Sequence, residues 1–220
     1  SAIGNRSWIG IFYLWLGSDI MSFVIRRLKN FYHLLSAFGA TAFYRFPAKK
    51  LFVIGVTGTD GKTTVVHLIS HILKTAGQKT AMISTVSASG FHVTTPNSWQ
   101  LQRFLRKMAN EAKKYVVLEA TSQGLDQHRL FGCHLQIGVI TNVTHEHLDY
   151  HGTWENYLSA KARLFRGVKW AVFNRDDRSY QPLKMTIDAI IITYGLKNAD
   201  LTPKRFKFKT NLPGEYNLCN

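Results

Sequence analysis

A strand-like run at residues 51–57 passes directly into Gly58-Thr59-Asp60-Gly61-Lys62-Thr63-Thr64 and then into a helical pattern. That order of residue types can hold phosphate. Gly58 and Gly61 let the backbone turn its N–H groups toward phosphate oxygens, and the N-terminus of the helix that follows adds partial positive charge. Lys62 can reach the outer phosphates, and a Thr hydroxyl, Thr63 before Thr64, can ligate magnesium. Thr59 and Asp60 complete the candidate ATP loop. Val56 stands where the strict Walker spacing has its first glycine, so the loop is a variant of that pattern. Glu119 ends a second strand-like run, residues 115–120, and a carboxylate beyond the carboxyl end of a parallel strand is well placed for metal. A third concentration, His145-Glu146-His147-Leu148-Asp149-Tyr150-His151, packs three His and two acids into one turn. Its His145-Glu146-His147 part lacks the i, i+4 helical spacing of an HExxH zinc site and has no thiolate nearby, so oxygen-rich magnesium chemistry fits better than zinc. Taken singly, His145 and His151 read as surface histidines.

Short apolar β-type runs alternate with helical patterns from residue 51 onward, which predicts an α/β fold with a mostly parallel sheet flanked by helices. Strands are expected at 51–57, 80–86, 115–120, 137–142, 170–174 and 189–194. Between the first two, Val65, Ile69, Ile72, Leu73 and Ala76 share a helical face, and Gly77 supplies a stop. A second helix is expected to take Thr95 as cap and Pro96 in its first turn, burying Leu101, Leu105, Met108 and Ala112. A third begins near Thr153 and carries Tyr157, Lys161, Leu164 and Phe165.

Several of these segments together resemble one family. The run TGTDGKTT is similar to the TGTxGKT loop of Mur ligases and of their folylpolyglutamate synthetase relatives. Asn142 followed by the turn ending Asp149-Tyr150-His151-Gly152 resembles the Asn and DHLD-type turn of Mur ligases, extended to DYHG as in the MurE type, with Glu146 in place of the usual Asp. The resemblance implies a P-loop NTPase-like Mur ligase central domain at residues 51–220, after a helical basic lead-in at 1–50. It implies that Glu119 and His147, with Thr63, hold magnesium. It also implies that Lys161, within a YxxAKxxLF match, is carbamylated by carbon dioxide and helps position a second magnesium. By the same resemblance Thr94 and Thr95 of a TTP segment, and Ser122, Gln127 and Arg129 of a segment like EVSSHxLxxxR, contact the muramoyl peptide. Gln123 replaces the usual His of that segment. Arg129 would grip a carboxylate or phosphate with its fork. Simple helix capping by Thr94 and Thr95, and a solvated helix position for Lys161, are the plainer readings of those residues. Asn217 and Asn220, in a segment like GxxNxxN, would approach adenine.

The activity this resemblance implies is ATP-dependent amide formation through an acyl phosphate, in the cytoplasm and by a monomer. The third amino acid, meso-diaminopimelate or L-lysine, would be added to UDP-N-acetylmuramoyl-L-alanyl-D-glutamate in peptidoglycan biosynthesis. Lys62, Lys161 and His147 would be the catalytic residues. A folylpolyglutamate synthetase-like ligase and a non-catalytic basic nucleotide-binding module are the alternatives. TTP, the Gln127-His128-Arg129 run and DYHG weigh against the first.

The 220 residues are 45% apolar, enough for one α/β core, and Lys plus Arg number 28 against 13 acids, a net charge of +15. Such charge suits an anionic partner, yet no aromatic-basic nucleic-acid motif of known spacing is present and no nucleic-acid partner is expected. Cys133 and Cys219 are far apart without CxxC spacing, which argues for structural thiols in a reducing compartment. Residues 8–25 are aromatic and apolar, with Gly17, Ser18 and Asp19 inside them and Arg26, Arg27 and Lys29 following. That stretch is compatible with membrane-surface contact and with a buried helix alike, and no cleavable secretory signal is evident. Residues 23–46 read as a helical, basic segment apart from the α/β core. No internal repeat or low-complexity tract is evident.

Overall fold

The computed structural model describes residues 7–84, 95–144 and 148–205, with residues 7–20, 22, 23, 26, 148 and 149 as backbone alone. It opens on α1 (Ser7–Phe43), one continuous helix that runs through Gly17, Ser18 and Asp19 and begins well before the helical segment expected at 23–46. A 3-10 turn at Pro47–Lys50 hands the chain to β1 (Phe52–Thr57). Then come α2 (Lys62–Thr75), β2 (Thr80–Ile83), α3 (Ser98–Asn110), β3 (Tyr115–Glu119), α4 (Ser122–Asp126), β4 (Leu135–Ile140), α5 (Leu148–His151) and α6 (Trp154–Ala162). A 3-10 turn at Arg163–Phe165, β5 (Trp170–Asn174), α7 (Tyr180–Thr186) and β6 (Ile190–Tyr194) complete the order.

The six strands form one sheet in the order β2-β3-β1-β4-β5-β6, every pairing parallel. Strands buried on both faces carry near-continuous apolar runs, as FVIGVT and YVVLE do. Ile54, Val56, Val117 and Val139 face α2, where they meet Val65 and Val66. Val53, Val116 and Leu118 face the other way, onto Leu101, Leu105 and Met108 of α3. The chain leaves β1 toward β2 and β3 on one side and returns to β4 on the other. The switch point of the sheet therefore lies at the carboxyl ends of β3, β1 and β4, where ligands of open α/β sheets bind.

Several expected features are displaced. α3 is capped by Asn97 and not by Thr95: Asn97 Oδ1 accepts from the Gln100 N–H at 2.9 Å while Gln100 Oε1 accepts from the Asn97 N–H at 3.4 Å. That reciprocal pair satisfies two otherwise orphaned donors, which a lone Thr cannot do. Ala112 lies past the end of α3, exposed and at φ 51°, so it buries nothing there. Ile72 of α2 is 64% exposed because that helix meets the sheet through Val65, Val66 and Ile69. β4 starts at Leu135, earlier than its apolar run suggests, because the Gln136 side chain accepts the Val53 N–H at 2.6 Å where the register shifts. Residues 85 and 86 of the second expected strand lie outside the described residues.

Candidate phosphate-loop site

β1 ends at Thr57, α2 begins at Lys62, and the four-residue tract between them carries Gly58 at φ 149° and Gly61 at φ 77°. A Cβ added at Gly58 would sit 1.8 Å from Thr141 Oγ1, so this position admits no side chain. What crowds it also holds it. Thr141 Oγ1 donates to the Asp60 carbonyl at 2.6 Å, Asn142 Oδ1 accepts the Asp60 N–H at 3.0 Å, and the Asn142 carbonyl accepts the Thr59 N–H at 2.9 Å. Two residues just past β4 thus clamp the loop from outside.

Register brings the chemistry level with the loop. Glu119, the last residue of β3, pairs with Val56 of β1, and its side chain is 3% exposed. Thr63 Oγ1, in the first turn of α2, lies 3.1 Å and 3.0 Å from the two Glu119 carboxylate oxygens. A hydroxyl and a buried carboxylate side by side are hard oxygen donors of the kind magnesium takes, and the pair fits that ion. Lys62 Nζ donates to the Thr59 carbonyl at 2.6 Å, which holds the ammonium over the loop that its own helix opens.

Lys161 comes from the far end of the chain. Gly55 lacks a side chain where a Cβ would stand 2.8 Å from Leu164 Cδ1, and this close approach seats the 3-10 turn that follows α6 against β1. One turn back, Lys161 is 1% exposed, against the expectation for a solvated helix lysine, and its Nζ donates to the Gly58 carbonyl at 2.5 Å. The ammonium lies 4.3 Å from the centre of the Tyr157 ring, its i−4 neighbour, in cation–π geometry. Tyr157 Oη is 3.2 Å from Thr59 Oγ1, which in turn accepts the Thr144 N–H at 3.0 Å. Both contacts suit an ammonium, and a carbamate at Lys161 would keep one N–H for the Gly58 carbonyl.

The peptide-side residues form a second network beside the first. Thr95, freed from capping, donates from Oγ1 to the Glu119 carbonyl at 3.3 Å, accepts the Thr121 N–H at 2.9 Å and lies 3.1 Å from Thr121 Oγ1. The fork of Arg129 is turned inward, with Nε and Nη2 donating to Gln127 Oε1 at 2.9 and 2.7 Å and Nη1 to the Thr95 carbonyl at 2.6 Å. Burial pushes the Arg129 guanidinium pKa down from its ordinary value. Ser122 Oγ is 3.0 Å from His151 Nε2. His151 is 2% exposed, between Tyr150 and Tyr157, and so is not the surface histidine its polar neighbourhood suggests.

The structure brings together Gly58, Thr59, Asp60, Gly61, Lys62, Thr63, Glu119 and Lys161 in one cluster, and Thr95, Ser122, Gln127 and Arg129 in the neighbouring one. Thr64 lies in the first turn of α2. Thr94, His145, His147, Asn217 and Asn220 lie outside the described residues. Among the described residues no group of three or more His, Cys, Asp or Glu side chains could hold a metal ion. Cys133 is fully buried, which raises its thiol pKa to about 12 and leaves it without redox chemistry. The clamp by Thr141 and Asn142 and the support by Tyr157 went unassigned in the sequence. Their signals were the strand-end position of the first two, the i, i+4 spacing of Tyr157 and Lys161, and the places of Asn142 and Tyr157 within the two family-like segments.

Comparison with known proteins gives a consistent picture. Residues 56–220 match the Mur ligase middle domain. A UDP-N-acetylmuramoyl-L-alanyl-D-glutamate–2,6-diaminopimelate ligase of Geobacillus thermodenitrificans is 43% identical over 215 residues, covering 82% of this chain and 44% of that protein. A ligase of the same name from Synechococcus elongatus is 40% identical over 213 residues, covering 82% of this chain and 42% of its own. A solved structure of a ligase of that name superposes with a TM-score of 0.62 at 38% identity, covering 68% of this chain and 33% of the other. A MurF ligase from Thermotoga maritima, solved with ADP, gives 0.58 at 22% identity over 75% of this chain and 38% of its own, a likeness of fold alone. The chain spans less than half the length of the curated relatives it matches.

Proposed function

This chain belongs to the Mur ligase family, and from that premise we propose that it supplies the ATP-handling centre of an amide ligase. The proposed reaction adds a third amino acid, 2,6-diaminopimelate before lysine, to UDP-N-acetylmuramoyl-L-alanyl-D-glutamate. The diaminopimelate preference rests on the names of the relatives. The enzyme is read as a cytoplasmic monomer with residues 51–220 as its ATP-binding domain. One observation carries the reading: Lys62, the Thr63–Glu119 pair and buried Lys161 converge on a single glycine-turned loop.

In this reading the loop N–H groups and Lys62 hold the β- and γ-phosphates of ATP, and Thr63 and Glu119, with His147, hold magnesium. Bound there, the ion neutralises phosphate charge. The terminal carboxylate of the peptide attacks the γ-phosphorus, ADP leaves, and the acyl phosphate so formed is captured by the amine with loss of phosphate. Positioning and charge neutralisation are what such a transfer needs from a protein. Lys161, as its carbamate, adds an anion beside Gly58 to position a second magnesium. Ser122, Gln127 and Arg129, with Thr94 and Thr95, orient the peptide. Asn217 and Asn220 approach adenine.

The test is calorimetry of magnesium-ATP on the full natural polypeptide and its Lys62→Ala variant, followed by amide formation with each candidate amine. ATP binding that disappears in the variant, with product from diaminopimelate, is the expected result. Equal ATP affinity in the two proteins, or no amide product with either amine, refutes the reading.

A further inference from the structure

One feature of the fold takes no part in nucleotide chemistry. The inward face of α1 is small and satisfied: Ala37, Ala40 and Thr41 are fully buried, Ser36 Oγ accepts the Trp99 indole N–H at 3.1 Å, and Thr41 Oγ1 donates to the Phe131 carbonyl at 3.3 Å. The opposite face is large, apolar and mostly uncovered, with Phe38 at its edge packing on the Phe131 ring. Met21, Val24, Leu28, Phe31, Leu35 and Phe38 recur at alternating steps of three and four and are 44% to 64% exposed. Ile25 and Tyr32, also exposed, widen the row. At about 100° per residue the stripe spans roughly 140° of the helix and runs about 26 Å from Met21 to Phe38.

Two occupants fit a helix of this pattern, a second copy of itself and a lipid surface, and charge and shape separate them. A coiled-coil seam is narrow, with branched aliphatic knobs and complementary charges beside it. This stripe is broad, and two positions on the three-four seam are Phe. No acidic residue occurs between Asp19 and Asp60, a tract that carries Arg26, Arg27, Lys29, Arg45, Lys49 and Lys50. Arg27 and Lys29 are exposed and project on either side of the stripe, where long stems can lie along acyl chains while the cations stay in the headgroup layer. Two copies paired through this face would oppose like charges, on a chain that already carries +15. Among the described residues no helix is long and apolar enough to cross a membrane, and an apolar stripe confined to one face of a basic helix is the pattern of a helix lying in the bilayer surface.

We propose that the Met21–Phe38 face of α1 is a membrane-surface helix that seats this protein on anionic lipid, independently of the nucleotide site. The test is co-sedimentation of the full natural polypeptide with vesicles of phosphatidylcholine alone and of phosphatidylcholine mixed with phosphatidylglycerol. Partition into the mixed vesicles is expected, and Leu28→Gln, Phe31→Gln and Leu35→Gln together should lower it at least about tenfold, since the apolar face supplies the insertion. Magnesium-ATP affinity should be unchanged, because the three side chains face away from the fold. Arg27→Glu with Lys29→Glu should abolish the preference for the anionic vesicles. Three outcomes overturn the proposal: protein that stays in solution with the mixed vesicles, partition that the triple variant leaves intact, or a dimer without vesicles that the triple variant turns into monomer.

Discussion

Replacing Gly58 by Ala tests how the phosphate loop is held. The new methyl would stand 1.8 Å from Thr141 Oγ1, so loop and strand end must part by about 1.5 Å to reach ordinary contact, and overpacking of that kind costs about 1–3 kcal/mol. Ala at φ 149° adds backbone strain of about 1–3 kcal/mol. Thr141→Ala alone loses the 2.6 Å bond to the Asp60 carbonyl, about 1–2 kcal/mol. In the double variant the nearest obstacle is gone, and the next atoms, Thr141 Cβ and N, lie at 3.1 and 3.3 Å, a crowding that shifts of a few tenths of an ångström relieve. Urea unfolding of the four proteins should therefore show the double variant more stable than the summed singles by about 1–3 kcal/mol. Magnesium-ATP affinity should fall furthest in Gly58→Ala and recover in part when Thr141→Ala is added. Costs that add to within about 0.5 kcal/mol would mean that Thr141 does not hold the loop against Gly58.

Two further expectations concern the scaffold. Asn97→Ala breaks the reciprocal cap of α3 and should lower unfolding free energy by about 1 kcal/mol in urea titration, whereas Thr95→Ala should leave the helix start intact. Burial, reinforced by Arg163, pushes the His128 imidazole pKa below its ordinary value of 6.5, so below that pH the unfolded chain binds the proton more readily than the folded one. Stability should fall as pH drops through 6.5 toward the folded value and level off beneath it. His128→Asn, which tolerates the φ of 53° at this position, should flatten that slope, and an unchanged slope would show that another group carries it.

What could be read from the sequence was local. The apolar runs gave the strands within a few residues, and the glycine-rich turn between a strand and a helix pointed to phosphate before any geometry was known. Misplacements arose where a side chain outbid periodicity. Gln136 extends β4 by lending its amide oxygen to β1, and Asn97 outcompetes Thr95 because Gln100 answers it three residues on. Burial at a distance was harder to foresee. Spacing alone does not distinguish Lys161 or His151 from solvated residues, and only the family-like YxxAKxxLF segment singled out Lys161, since what buries them is Gly55, Gly58, Ser122 and the packing of α6. Likewise the fork of Arg129 looks open in sequence, while in the fold Gln127 and the Thr95 carbonyl occupy it.

The partners of the phosphate loop come late in the chain. Thr141 and Asn142 lie some 80 residues beyond it and Lys161 is 103 residues beyond Gly58. During synthesis at about 5–20 residues per second, the glycine turn would leave the ribosome roughly 5–20 s before Lys161. Over most of that interval the nascent chain holds β1 and α2 with the turn between them lacking its clamp from Thr141 and Asn142, and only the Lys62 contact to the Thr59 carbonyl is local to it. The full set of contacts around the loop is thus a late event in the birth of the protein, completed only as Lys161 reaches the Gly58 carbonyl.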